Sequence, residues 1–89
     1  LSDKKTKKEN EFIMSEMNVT FKNPNDVLDF ISKVEKYPYN MDLSRGSIVV
    51  DAKSLLGIMN LGFNHIVNLK VYADHCEDLC SDIKQFLAA

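Results

Sequence analysis

The sequence has no long hydrophobic run, only three glycines and only two cysteines, and each shortage excludes a class of protein. No apolar stretch approaches the roughly 18 residues that a membrane-spanning helix requires. No secretory hydrophobic segment is present near the start, so we expect a cytoplasmic protein. The glycines are spaced as turn, helix-packing and cap residues, which excludes a phosphate-binding loop. With no hydrolase triad and no pair of catalytic carboxylates, catalysis by this chain alone is not expected.

The two cysteines, Cys76 and Cys80, are four residues apart and would lie on one side of a helix. The simplest interpretation is that both are small hydrophobic core residues. A disulfide inside one helix has poor geometry, and the expected compartment is reducing. His75 could join them in a metal site, but the sequence offers no second pair of ligands elsewhere. No metal ion or other cofactor is therefore expected.

Charge is distributed unevenly along the chain. Residues 1–10 contain four lysines and two acidic residues, whereas the remainder is acidic overall. Lysines without interleaved aromatic residues are typical of a solvated tail. We predict a disordered leader over residues 1–10 and one domain over residues 11–89. The domain has no basic stripe, so neither nucleic acid nor membrane is an expected partner.

Hydrophobic patterning in the first half predicts a strand followed by a helix. The strand extends from Phe12 to Val19, with a break in alternation at Glu16-Met17 that a bulge could absorb. Asn23 is a good N-cap and Pro24 is favourable at the first helical position. The helix should end before Tyr37-Pro38. Its apolar stripe consists of Val27, Leu28, Phe30, Ile31 and Val34.

The second half predicts a hairpin, a short helix, a strand and a final helix. In order, the elements are a strand with Met41 and Leu43, a turn at Ser44-Arg45-Gly46-Ser47, a strand Ile48-Val49-Val50, a helix from Ser54 to Asn60 ended by Gly62, a strand with Val67, Leu69 and Val71, and a helix from Cys76 to Leu87. The resulting order β-α-β-β-α-β-α is typical of an α+β domain with helices on one face of an antiparallel sheet.

The segment around the short helix also resembles a known family. Ala52-Lys53-Ser54-Leu55-Leu56-Gly57-Ile58-Met59-Asn60-Leu61-Gly62 resembles the segment around the regulatory serine of HPr, the small phosphocarrier of the bacterial sugar phosphotransferase system. The match continues without a gap back through Glu35-Lys36-Tyr37 and forward into the fourth strand. The resemblance implies an HPr-like open-faced β-sandwich, with a four-stranded antiparallel sheet and three helices on one face.

In this register the family's phosphate-carrying residues are changed. Asn23 occupies the position of the phosphorylated histidine, Asn25 that of an arginine, and Asp26 that of the following proline. An amide nitrogen has no basic lone pair with which to attack phosphorus, and a carboxylate repels an incoming phosphate. No catalytic residue is therefore predicted. The catabolite-repression HPr-like protein is similar in lacking this histidine while keeping the serine segment.

Ser54 occupies the family's regulatory serine position, so the resemblance implies phosphorylation by an HPr kinase. A helix start favours a phosphate, although serine is also a common N-cap without any modification. Partner proteins of the phosphotransferase or carbon-regulation type are expected to dock beside it. The predicted docking residues are Leu55, Ile58, Met59 and Phe63, which form an apolar patch with Leu56 and Leu61. The alternative is that these residues belong to the core.

Three functions remain open at this point. The first is a non-catalytic regulatory or docking protein. The second is an active phosphocarrier whose phosphohistidine has moved to His65 or His75, although His75 has acidic neighbours. The third is an interaction module of a longer protein, because the first residue is leucine and not methionine.

Overall fold

The computed structural model describes residues 14–88, which form a four-stranded antiparallel sheet with helices packed on one face. The elements are β1 (Ser15–Val19), α1 (Pro24–Val34), β2 (Asn40–Arg45), β3 (Ile48–Asp51), α2 (Leu55–Leu61), β4 (Val67–Tyr72), α3 (Glu77–Asp82) and a 3-10 helix (Lys84–Phe86). The strand order is β1-β4-β2-β3, and the predicted α+β architecture is confirmed. The predicted leader and Phe12 lie outside the described residues. No helix in the described range is long and apolar enough to cross a membrane.

Each residue of strand β1 pairs with a single residue of β4, from Ser15 opposite Val71 to Val19 opposite Val67. The bulge predicted at Glu16-Met17 is therefore wrong. Met14, which is out of phase with Met17 and Val19, precedes the strand, and the alternation is regular within the paired segment. The core-facing side chains of the sheet include Met17, Val19, Met41, Leu43, Val67, Leu69 and Val71.

Helix α1 begins as its sequence predicts. The Oδ1 atom of Asn23 accepts the backbone N–H of Asp26 at 2.9 Å, and Pro24 follows at the first helical position. The carboxylate of Asp26 accepts the N–H of Lys22 at 2.9 Å. The helix ends at Val34, before the proline.

The stripe predicted for α1 included Leu28, but this side chain is 51% exposed. The buried face consists of Val27, Phe30, Ile31 and Val34. At 3.6 residues per turn, Leu28 lies about 60° beyond the edge of that arc, so it remains in solvent.

The last helix is shorter than the predicted span from Cys76 to Leu87. Helix α3 ends at Asp82, and Ile83 leaves the helical conformation with φ −103° and ψ 15°. After the 3-10 helix, Leu87 is extended and forms an antiparallel bridge with Val19. A continued helix would have prevented this pairing, so the prediction of one helix is wrong.

The C-terminal segment closes the outer edge of β1. The N–H of Thr20 donates to the carbonyl of Phe86 at 2.9 Å, and the N–H of Ala88 donates to the carbonyl of Asn18 at 2.8 Å. Backbone groups at the C-terminal end of this edge strand are therefore paired, which protects that end from pairing with another chain.

The same pairing brings Phe86 into the core beside two other phenylalanines. The ring centroids of Phe21 and Phe30 are 5.0 Å apart, and Phe86 lies 5.9 Å and 5.5 Å from them, respectively. The Phe30 contacts are edge-to-face, a favourable geometry for aromatic pairs. This three-ring cluster joins the segment before α1, α1 itself and the end of the chain.

Candidate functional site

Ser54 is the N-cap of α2. Its Oγ atom accepts the backbone N–H of Gly57 at 3.2 Å, and its carbonyl accepts the N–H of Ile58 at 3.0 Å. The hydroxyl therefore satisfies one of the donors that a helix start leaves without a partner. The prediction of a cap is confirmed, whereas phosphorylation of Ser54 stays a prediction.

Helix α2 packs closely on β3 at Gly57. A Cβ atom at this residue would lie 2.9 Å from the Cβ of Val50 and 3.2 Å from the Oγ of Ser54. Real Cβ atoms do not approach that closely, so only hydrogen fits here. The close approach fixes Ser54 and the first turn of α2 against the edge of the sheet.

The first turn of α2 exposes two leucines. Leu56 is 78% exposed and Leu55 is 37% exposed. Met59 and Phe63 are partly buried, and Phe63 packs against the core. The other three predicted docking residues, Leu55, Met59 and Phe63, are therefore at least partly accessible, as residues of a docking surface must be.

Ile58 is different, because it is completely buried. It packs inside the core together with Leu61, so its assignment as a docking residue is wrong. The most exposed apolar side chain of α2, Leu56, is not one of the four predicted docking residues. Ile58 and Leu56 are both apolar and lie on the same short helix. Only the orientation of α2 on the sheet therefore determines which of them is buried.

Lys53, the residue before Ser54, connects α2 to the end of α1. Its Nζ atom donates to the carbonyl of Tyr37 at 2.8 Å. The Tyr37 hydroxyl in turn donates to the carboxylate of Asp82 in α3. This hydrogen bond, together with burial and the charge of Asp82, raises the pKa of Tyr37 to about 12. The surroundings of Ser54 are therefore held by contacts to two other helices.

Helix α2 ends at Gly62, which has a positive φ of 87°. Its ψ of 176° is extended, so the turn has the positive φ expected of glycine but is not a left-handed helical cap. Nη1 of Arg45 donates to the carbonyl of Leu61 at 2.8 Å, which places a cation at the negative end of α2. No local pattern in the sequence indicates this role, since Arg45 is predicted only as a turn residue.

His65 lies beside the same glycine. A Cβ atom at Gly62 would be 3.3 Å from Cδ2 of His65 and 3.4 Å from Nη1 of Arg45. The preceding residue, Asn64, has φ 62°, and its N–H donates to the carbonyl of Phe21 at 2.7 Å. The structure thus brings an exposed histidine close to an arginine, on a loop fixed to the segment that leads into α1.

His75 has a different environment. Its side chain is 81% exposed, and its Nδ1 atom lies 3.8 Å from a carboxylate oxygen of Glu77. Asp74 and Asp78 are its other acidic neighbours in the sequence. Acidic neighbours repel a phosphoryl group, so His75 is less suited than His65 to accept one.

At the start of α1, Asn23 and Asn25 are exposed and Asp26 is half-buried. The side-chain oxygen of Asn23 is occupied by the cap hydrogen bond, and its amide nitrogen is not a nucleophile. The hydrogen bonds of Asn23 and Asp26 stabilise the helix start, and neither asparagine offers an imidazole to a phosphoryl donor.

Among residues 14–88, no group of three or more histidine, cysteine, aspartate or glutamate side chains is placed to hold a metal ion. Cys76 is buried, as predicted for a core residue, whereas Cys80 is partly exposed. Neither cysteine is in a disulfide.

No protein-family model and no curated protein sequence matches this chain. Solved structures do. HPr-C-His from Thermoanaerobacter tengcongensis is 23% identical with a TM-score of 0.66, covering 80% of this chain and 88% of that one. The phosphocarrier protein HPr from Bacillus anthracis is 15% identical with a TM-score of 0.64, covering 84% and 98%. A histidine-containing phosphocarrier protein from Mycoplasma is 14% identical with a TM-score of 0.57, covering 80% and 89%.

The likeness covers 88%, 98% and 89% of these three structures, which is nearly their whole length. At such low identity the likeness concerns the fold and not the activity. The fold that the resemblance implied is therefore confirmed: this chain is HPr-like, with the open-faced β-sandwich of the HPr phosphocarriers.

Proposed function

We propose that this chain is a non-catalytic regulatory or docking protein of the HPr type. It would act in the bacterial cytoplasm with the phosphoenolpyruvate-dependent sugar phosphotransferase system, and Ser54 would be its regulatory phosphorylation site. The main support is the position of Ser54 at the start of α2, directly beside the exposed Leu55 and Leu56. Asn23 supports the loss of phosphoryl transfer, since it caps α1 where a working carrier has histidine.

A phosphate on Ser54 is compatible with the local electrostatics. The first turn of α2 contains no acidic residue, so its backbone N–H groups face no competing carboxylate of that helix. Negative charge is favourable at a helix start, and phosphate supplies about −1.5 to −2 charges at neutral pH. The modification would therefore place strong negative charge next to an apolar surface without disrupting the helix.

The docking surface in this proposal consists of Leu55, Leu56, Met59 and Phe63. Its partners would be proteins of the phosphotransferase or carbon-regulation type, including an HPr kinase. Apolar contact area supplies the affinity in such a surface. Charge on Ser54 would change which partner binds, because a phosphate favours a partner with cations and disfavours one with carboxylates.

The test is intact mass after incubation with ATP and an HPr kinase from a Gram-positive bacterium. We expect one phosphate on the wild-type chain and none on Ser54→Asn. Asparagine is as good an N-cap as serine, so this variant removes the hydroxyl while keeping the helix start. Ser47→Ala is the matched control, since Ser47 is an exposed serine in the hairpin turn and its loss should leave the label intact.

Two outcomes would contradict this assignment. A phosphate that persists in Ser54→Asn would place the modified residue elsewhere. No phosphate on the wild type would favour an interaction module that works without modification, and binding partners should then be sought by their contact with Leu55 and Leu56.

An active phosphocarrier that uses His65 is the second candidate. Its support is the proximity of His65 to Arg45, because a guanidinium stabilises a phosphoryl group. Incubation with phosphoenolpyruvate and Enzyme I would then give an acid-labile phosphate that His65→Ala lacks and His75→Ala keeps. An unlabelled wild-type chain would exclude this function.

A further inference from the structure

Cys76 and Cys80 form a close pair of thiols at the start of α3. Their Sγ atoms are 3.6 Å apart, within hydrogen-bond distance for sulfur, and neither is in a disulfide. Cys76 is buried and its Sγ atom also lies 3.4 Å from the Oγ of Ser15 in β1. Cys80 is partly exposed. No function discussed above involves these two side chains.

The backbone at Cys76 permits a disulfide that a regular helix would resist. Cys76 is the N-cap residue of α3, with φ −137° and ψ 31°, so its Cβ does not have the direction of a helical residue. Residues four apart along a helix are separated by about 6 Å, which is within the Cα range of natural disulfides. To form a bond of about 2.05 Å, the sulfurs must approach each other by about 1.5 Å, a distance that side-chain rotation can supply.

Both cysteines border one surface cavity. Cys76 and Cys80 line a surface cavity of about 530 Å³, together with Lys84 and Ser81 among others. The cavity holds small molecules easily, since one water occupies only about 30 Å³ in the liquid. A small oxidant can therefore reach Cys80, the more exposed of the two thiols.

We propose that Cys76 and Cys80 are a redox modification site, at which a hydroperoxide converts the two thiols to an intramolecular disulfide. This site is independent of the function proposed for Ser54. It concerns α3 and its contact with β1, and it requires neither a phosphate nor a docked partner.

The reaction has two steps. The Cys80 sulfur, as thiolate, attacks the terminal oxygen of the hydroperoxide; an S–O bond forms, the O–O bond breaks, and the alcohol or water leaves after taking up the thiol proton. The Cys76 sulfur then attacks the Cys80 sulfur; the S–S bond forms, the S–O bond breaks, and water leaves with the second thiol proton. Two thiols lose two electrons, which the hydroperoxide accepts.

The surroundings make this reaction slow at neutral pH. Burial, followed by the hydrogen bond with Cys76, raises the pKa of Cys80 to about 11. The charges of Glu77 and Asp78 on the same helix add to this effect, whereas Lys84 is the cation that lines the cavity. Since the thiolate is the reacting form, the rate should increase as pH rises toward 11.

The experiment uses the whole chain, oxidised with hydrogen peroxide at pH 8 to 9, alkylated with iodoacetamide and weighed intact. We expect the wild type to lose both alkylatable thiols and the mass of two hydrogen atoms. The rate should not depend on protein concentration, and a dithiol reductant should restore both thiols. Cys80→Ser and Cys76→Ser should each give no loss of two hydrogen atoms while retaining helical circular dichroism.

Three results would overturn the proposal. These are wild-type thiols that both remain alkylatable, oxygen adducts that accumulate without loss of hydrogen, and disulfide-linked dimers that form instead of an oxidised monomer. A folding defect in Cys76→Ser would not affect the conclusion, because Cys80 is partly exposed and Cys80→Ser tests the same pair.

Discussion

Gly57 determines how closely α2 approaches the sheet. Its missing side chain leaves room for Val50, whose Cβ would otherwise meet a new Cβ at 2.9 Å. Gly57 is also the residue whose N–H is capped by Ser54. One glycine therefore couples the packing of the helix to the position of the predicted regulatory serine.

Gly57→Ala should destabilise the protein by about 1–3 kcal/mol, the usual cost of overpacking. Alanine is the better helix former by about 1 kcal/mol, so a loss of stability would identify the contact with Val50 as the stronger effect. Urea denaturation gives the free energy of unfolding. Asn60→Ala, at an exposed position of the same helix, is the control and should be neutral or slightly stabilising. A Gly57→Ala variant as stable as wild type would show that α2 can move away from β3.

At the scale of a secondary-structure element, the stability of helix α1 depends on its N-cap. Asn23 caps the first turn, Pro24 begins the helix, and the carboxylate of Asp26 accepts the N–H of Lys22. The start of α1 is thus built for local stability.

Asn23→Ala should lower the free energy of unfolding by about 1 kcal/mol, because the N–H of Asp26 loses its side-chain acceptor. Asn23→Ser and Asn23→Asp keep an acceptor and should stay within a few tenths of a kcal/mol of wild type. Thermal and urea unfolding of the four proteins provide the comparison. Equal stability of Asn23→Ala and wild type would mean that water replaces the cap at no cost.

Across the whole molecule, Tyr37 joins three helices. It follows α1, accepts a hydrogen bond from Lys53 before α2, and donates one to Asp82 in α3. Its pKa rises from the ordinary 10.0 to about 12, while that of Cys80 rises from 9.0 to about 11. Both groups are thus held in their neutral, protonated forms by the folded state.

This predicts alkaline destabilisation. Below about pH 9 both groups are protonated in the folded and unfolded chains, and their contribution to stability is complete. As pH rises from about 9 to 12, the unfolded chain releases these protons first, so the free energy of unfolding falls. The Tm should therefore stay nearly constant up to pH 9 and then decrease.

Tyr37→Phe should show a smaller decrease of Tm between pH 9 and 12 than the wild type, because one of the groups whose pKa is raised in the folded state is gone. At pH 7 it should be less stable, since the carboxylate of Asp82 and the carbonyl of Asp78 lose a donor. The measurement is thermal unfolding at matched ionic strength. Parallel pH profiles would show that the Tyr37–Asp82 hydrogen bond does not persist in solution.

Much of the fold could be predicted from the sequence because its signals are local. The caps at Asn23 and Ser54 use hydrogen bonds that span only three residues, and the hairpin turn includes Gly46 with φ 61°. Strand β4 alternates apolar and polar residues, so its inward face is fixed by a period of two. The position of Ser54 at a helix start therefore follows from the local sequence alone.

Other features depended on contacts between distant residues. Ile58 is buried and Leu56 exposed because α2 turns one side to the sheet, and a helix of 7 residues contains too little pattern to define that side. The final helix ends at Asp82, which leaves Leu87 free to pair with Val19, a residue distant in the sequence.

The sequence by itself thus determined most of the element types, the N-caps at Asn23 and Ser54 and the HPr-like order of strands and helices, since each rests on bonds or periodicity within a few residues. Only the tertiary structure decided which leucines reach solvent, where the last helix ends, and that His65 lies near Arg45. It also decided that the sulfurs of Cys76 and Cys80 lie 3.6 Å apart. These features depend on long-range packing, which no short segment of the chain contains.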